Sequence, residues 1–99
     1  MLKTGLLSIT FRQLVHEEII RLIERSKLDC IEWGGDIHAP HGNVEVAERL
    51  KTKCDNAGIE LPSYGSYYRA GVSETEGLGF EAVLDSAQAL GVDTIRVWA

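Results

Sequence analysis

The 99 residues, of which 44% are hydrophobic and 25% charged, are enough for one small globular domain with its own core. The net charge of -5 and the absence of a basic stripe argue against partners such as nucleic acid or an anionic membrane. Residues 1–5 lack the features of a signal peptide, and no apolar run approaches the ~20 residues of a membrane helix, so we expect a cytoplasmic protein.

The first half of the chain alternates between strand and helix patterns. Residues 5–10 are short, apolar and compatible with a strand, and Val15, Ile19, Leu22 and Ile23 then recur on one helical face. Residues 28–33 predict a second strand, closed by two glycines. Asn43 is a suitable N-cap for a second helix, which Gly58 is suited to end.

The second half repeats this alternation. Residues 59–64 predict a third strand, followed by a polar, glycine-rich loop that extends to residue 79. Apolar residues at helical spacing predict a third helix over residues 80–90, with Gly91 after it. Residues 92–99 then predict a fourth strand. The two cysteines, Cys30 and Cys54, lack the spacing of a zinc or redox motif, so we expect reduced packing residues.

The predicted order βαβαβαβ indicates an α/β fold with a parallel sheet. The strand starts at Leu28, Ile59 and Val92 recur at about thirty residues, the size of one βαβ unit. Because parallel crossovers are right-handed, sequential strand order places all helices on one side of a curved, barrel-like sheet. A flavodoxin-like open sheet is the alternative, but residues 11–14 are not the glycine-rich loop that usually follows its first strand.

Polar residues follow the second predicted strand, where the sites of parallel α/β proteins are found. Asp36, His38 and His41 lie in this loop, and an imidazole can both donate and accept hydrogen bonds in a binding site. We expect His38 near Tyr64 or Tyr67, at the carboxyl ends of the strands. For Asp36 and His41, stabilisation of a surface turn is the favoured alternative. Metal binding by His38 and His41 together is not favoured, because hard metals prefer carboxylates.

The third predicted strand is followed by a second candidate binding segment. Tyr64 and Tyr67 could stack on a ligand, and Arg69 could bind a phosphate or carboxylate in bidentate fashion. A partly buried loop with one extended arginine is the alternative. Trp98, at the end of the fourth strand, completes the substrate-binding candidates.

Two charged residues lie within predicted strands. Alternation places Glu32 with Cys30 on one face of strand two, and Arg96 with Thr94 and Trp98 on one face of strand four. Because aliphatic neighbours should meet the helices, Glu32 and Arg96 should point to the other face. A buried charge that lacks its partner costs about 3–5 kcal/mol. We therefore predict an ion pair between Glu32 and Arg96 in a barrel interior.

Three segments resemble the xylose isomerase-like TIM-barrel superfamily, and more narrowly its sugar-phosphate isomerase/epimerase branch. They are residues 30–38, 64–69 and 95–98. The resemblance implies one partial barrel domain over residues 1–99, with strands 1–4 and helices 1–3 of a (β/α)8 fold. His38 matches the family's histidine at the barrel mouth. Since that family's metal ligands and acid/base glutamates come from later strands, no catalytic or metal-binding residue is assigned to this chain.

The resemblance therefore implies the N-terminal part of a sugar or sugar-phosphate isomerase or epimerase, inactive in isolation. A divalent metal such as Mn, Mg, Co or Zn is expected only in a full-length parent. A small self-assembling or carbohydrate-binding module is the alternative, and the DNA-repair endonuclease branch of the superfamily fits less well because this chain is acidic. Unpaired sheet edges predict a homo-oligomer.

Overall fold

The structure, a computed structural model, describes residues 2–99. It contains four strands, β1 to β4, and three α-helices, α1 to α3, joined by loops that include two short 3₁₀ turns. The strands are β1 Gly5–Leu7, β2 Cys30–Gly34, β3 Tyr64–Arg69 and β4 Ile95–Trp98. The helices are α1 His16–Ser26, α2 Val44–Ala57 and α3 Phe80–Leu90. The predicted α/β class and the order βαβαβαβ are confirmed.

The four strands form one parallel sheet in the order β1-β2-β3-β4. Sequential order follows from short crossovers, each of which carries one helix back over the sheet. The helices all pack on the same side: residues of α1, α2 and α3 share one hydrophobic core with Ile31 and Trp33 of β2 and Tyr64 of β3. The opposite face of the sheet, which we call the open face, carries no helix formed by residues 2–99.

Local signals begin and end the helices where the sequence predicts. Asn43 accepts a hydrogen bond from the Val46 N–H (3.3 Å), and this satisfies one of the free donors at the start of α2. At the end of α2, Gly58 has a φ of 72°, a left-handed conformation that costs glycine little. In α1, the Glu18 carboxylate accepts from the Val15 N–H (3.1 Å), so this helix is capped from within.

The third strand differs from the predicted one. The sequence predicts a strand over residues 59–64 and a loop after it, whereas β3 spans Tyr64–Arg69. Glu60 makes only an isolated bridge to Cys30, and regular pairing begins where Tyr64 faces Trp33. Between these two paired positions, the third segment (60 to 64) is therefore one residue longer than β2 (30 to 33). Pro62 lies in this extra stretch because it has no N–H to donate to a ladder.

The first strand is also shorter than residues 5–10, because a 3₁₀ turn, Ser8–Phe11, replaces its second half. The Ser8 hydroxyl accepts a hydrogen bond from the Gly34 N–H (2.8 Å), which ties the turn to the end of β2. Both cysteines are free thiols, and burial raises the pKa of each. None of the helices within residues 2–99 has the length and apolar character needed to cross a bilayer.

Candidate functional site

An ion pair crosses the open face of the sheet from β2 to β4. Arg96 donates from Nη2 to Glu32 Oε1 at 2.7 Å and from Nε to the same oxygen at 3.1 Å. The other carboxylate oxygen, Oε2, accepts from the Ser63 hydroxyl at 2.7 Å. Glu32 is only 7% exposed, so its charge depends on these partners. The contact predicted between Glu32 and Arg96 is present, and its hydrogen bonds are the main reason that the pKa of Arg96 is raised.

The pair reaches across β3 because residue 65 has no side chain. Gly65 lies between the two partner strands, opposite Gly34 on β2 and Arg96 on β4. A methyl group at this position would lie 2.6 Å from Glu32 Oε1 and 2.9 Å from Arg96 Nη2. Both distances are far shorter than a normal contact, so a glycine is required for the two side chains to meet above the sheet.

Two aromatic rings flank the Arg96 guanidinium. Its central carbon lies 5.8 Å from the centre of the Tyr67 ring and 5.9 Å from that of Trp98, within cation–π range. The two ring centres are 6.1 Å apart. We call Glu32, Tyr67, Arg96 and Trp98 the open-face cluster. It joins an ionic group to an aromatic surface, a combination found in many small-molecule sites.

Tyr67 adopts an unusual backbone conformation. Its φ of 59° lies in the left-handed region, which costs a non-glycine residue of order 1–3 kcal/mol. The pairing of β3 with β4 also shifts register between Gly65 and Arg69. The strand is therefore irregular next to the cluster, where bulges commonly redirect a side chain. The Tyr67 hydroxyl is buried and makes no hydrogen bond of normal geometry, but it lies close enough to the Arg96 guanidinium to help raise the pKa of Arg96.

The outer part of the cluster is open to solvent. Trp98 is 47% exposed, and the Arg96 side chain is 36% exposed. Arg69 is exposed at the end of β3, where it pairs in register with Trp98. Three of the five predicted substrate-binding residues, Tyr67, Arg69 and Trp98, are therefore neighbours at the carboxyl ends of β3 and β4.

The other two predicted binding residues, His38 and Tyr64, lie in the core. His38 is 4% exposed, its Nε2 hydrogen-bonds the Leu14 carbonyl at 3.0 Å, and its ring lies 5.9 Å from that of Trp33. Tyr64 is fully buried and donates to the Ala39 carbonyl at 2.6 Å. Burial raises the pKa of Tyr64 to about 12. Neither ring is open to a ligand in this arrangement, so their contacts indicate packing roles.

The remaining polar residues of this loop stabilise its fold. His41 hydrogen-bonds the Ser66 carbonyl through Nε2, and its ring lies 6.3 Å from that of Tyr64. Asp36 forms an ion pair with Arg12, which follows β1. Sequence reasoning missed Arg12 as a partner. The signal available was a lone basic residue after strand one, facing the loop in which Asp36 follows strand two.

No group of three or more histidine, cysteine, aspartate or glutamate side chains within residues 2–99 is placed to hold a metal ion. Glu32, the most buried acidic residue, already binds Arg96 through both oxygens and Ser63 through one. The residues present thus do not fit the divalent metal expected in a full-length parent.

Comparison with known proteins gives no family for this chain. Its sequence matches no protein-family model and no curated protein.

Proposed function

We propose that this chain is the N-terminal half of a TIM-barrel sugar or sugar-phosphate isomerase or epimerase, and that the open face of its sheet lines the barrel. The observation that carries the proposal is the ion pair between the buried Glu32 and the partly exposed Arg96 on the open face of the sheet. Interior positions of such barrels are filled by strand side chains in layers, and alternate strands contribute to the same layer. β2 and β4 are alternate strands.

Within this proposal the chain binds the sugar and does not perform the chemistry. Tyr67 and Trp98 offer apolar ring faces, Arg96 offers hydrogen-bond donors, and Arg69 lies at the strand ends where barrel active sites form. A divalent metal and the acid/base residues belong to later strands of a parent protein.

Tryptophan fluorescence can test sugar binding directly. The chain has two tryptophans: Trp33 is fully buried and Trp98 is 47% exposed within the cluster. In a Trp33→Phe variant only Trp98 emits, so titration with D-fructose 6-phosphate should change its emission in a saturable way. Trp98→Phe is the matched control, because it keeps Trp33 and should show no change. If neither sugar phosphates nor free sugars alter Trp98 emission at millimolar concentration, the proposal fails.

Self-assembly is a second candidate function, favoured by the sheet edges. Within residues 2–99, β1 and β4 each pair with a strand on one side only. Leu7 on β1 and Trp98 on β4 are also 42% and 47% exposed. Two copies could pair edge to edge and bury these residues. Light scattering after size exclusion should then give at least twice the chain mass of 10.9 kDa; a single monomer peak at micromolar concentration would exclude it.

A further inference from the structure

We infer that the open-face cluster binds neutral hydroxyl or carbonyl oxygens of a sugar, and that it is not the site of a phosphate group. This inference rests on the proposed function and assigns ligand chemistry to its site. The inference places the hydroxyl groups of a substrate at Arg96. A phosphate group on the same substrate would be bound at another position.

The first observation is the division of the Arg96 donors. Nε and Nη2 both donate to Glu32, whereas Nη1 has no hydrogen-bond partner among residues 2–99. A guanidinium carries five N–H groups in a fixed plane, so the Nη1 edge retains two donors. The side chain is 36% exposed, and these donors can meet a ligand without breaking the ion pair.

The second observation is the charge of the cluster. The Glu32 carboxylate lies 2.7 Å from Arg96 Nη2, so the pair has no net charge. A phosphate at Nη1 gains attraction from the guanidinium but loses much of it to repulsion by the carboxylate, which is poorly screened because it is buried. A neutral oxygen has no such opposing charge and gains a hydrogen bond.

The third observation is the aromatic pair beside the guanidinium. The faces of the Tyr67 and Trp98 rings carry negative potential, which attracts cations and disfavours anions. The same faces are apolar and suit the C–H groups of a sugar. Charge and aromatic surface therefore favour the same ligand, a polyhydroxyl compound without a charge at this position.

The experiment compares D-fructose, D-fructose 6-phosphate and inorganic phosphate on the Trp33→Phe protein, with Trp98 emission and calorimetry as readouts. We expect the two sugars to compete for one site and inorganic phosphate to leave D-fructose binding unchanged. Arg96→Lys keeps the positive charge but loses the planar fork, so it should weaken both sugars by a similar factor of about ten. Arg25→Lys, an exposed change on α1, is the control for nonspecific effects.

The outcomes are distinguishable. Equal affinity of the two sugars supports the inference, and so does tighter binding of the phosphate ester if Arg96→Gln, which removes the charge, keeps that advantage. An advantage that Arg96→Gln abolishes, or competition by inorganic phosphate, overturns the inference while sugar binding stands. If no sugar binds at all, the proposed function itself fails. Circular dichroism of each variant confirms that the fold is retained.

Discussion

Replacing Arg96 by methionine is the strongest test of the ion pair. The change leaves the Glu32 carboxylate, 7% exposed, with the Ser63 hydroxyl as its remaining side-chain partner. Breaking a fully buried pair costs about 3–5 kcal/mol, and an exposed pair contributes about 0–1 kcal/mol. Since the Arg96 side chain is 36% exposed, we expect the variant to lose about 2–3 kcal/mol of unfolding free energy, between these limits.

Urea unfolding at pH 7, followed by tryptophan fluorescence, measures this loss. The double variant Glu32→Leu/Arg96→Met should regain most of it, because an apolar pair of similar volume has no buried charge to desolvate. Asp55→Asn is the control, since it breaks the exposed pair with Lys51 (2.8 Å) and should cost no more than about 0.5 kcal/mol. If Arg96→Met costs no more than Asp55→Asn, the pair is effectively solvated and our reasoning about the open face is wrong.

Three further predictions concern single residues. Burial lowers the pKa of His16, so as the pH falls this histidine is protonated in the unfolded chain before it is protonated in the folded protein. The free energy of unfolding should therefore be highest above about pH 6.5 and decrease at lower pH. Urea midpoints measured from about pH 7.5 to 5.5 should depend less on pH in a His16→Gln variant. Gly65→Ala should lower the free energy of unfolding by about 1–3 kcal/mol, because the added methyl group pushes Glu32 and Arg96 apart. Gly79→Ala is the control and should lower it less, since its methyl group would meet nothing closer than 3.8 Å. Equal losses would contradict the steric explanation. Tyr67→Phe removes a buried hydroxyl that makes no hydrogen bond of normal geometry, so thermal melting should show little loss of stability. A clear loss would mean that its contact with the Arg96 guanidinium stabilises the fold.

Strand alternation predicted the ion pair because it depends only on a period of two. Ile31 and Trp33 of β2 and Ile95 of β4 pack on the helix side of the sheet, so alternation places Glu32 and Arg96 together on the other face. The same logic missed β3, since residues 59–61 looked more like a strand than the polar residues 64–69. Pairing with strands on both sides outweighed that preference after Pro62.

The loop residues were harder to predict. Chemistry identified His38 and Tyr64 as possible ligand-binding groups, but their positions depend on contacts that sequence spacing does not contain. His38 is held by the Leu14 carbonyl and by packing on Trp33, and Tyr64 by the Ala39 carbonyl. The positive φ of Tyr67, a member of the open-face cluster, had no sequence signal either, because glycine and not tyrosine is typical of that conformation.

The hydrogen bonds between Glu32 and Arg96 join residues 64 positions apart in the chain. Closing so long a loop costs entropy, and local βαβ units can form before it closes. The ion pair should therefore form late in folding, after β4 has docked on β3. Weakening the ion pair should speed unfolding much more than it slows folding. The pair therefore keeps β4 attached to the sheet by lowering the unfolding rate.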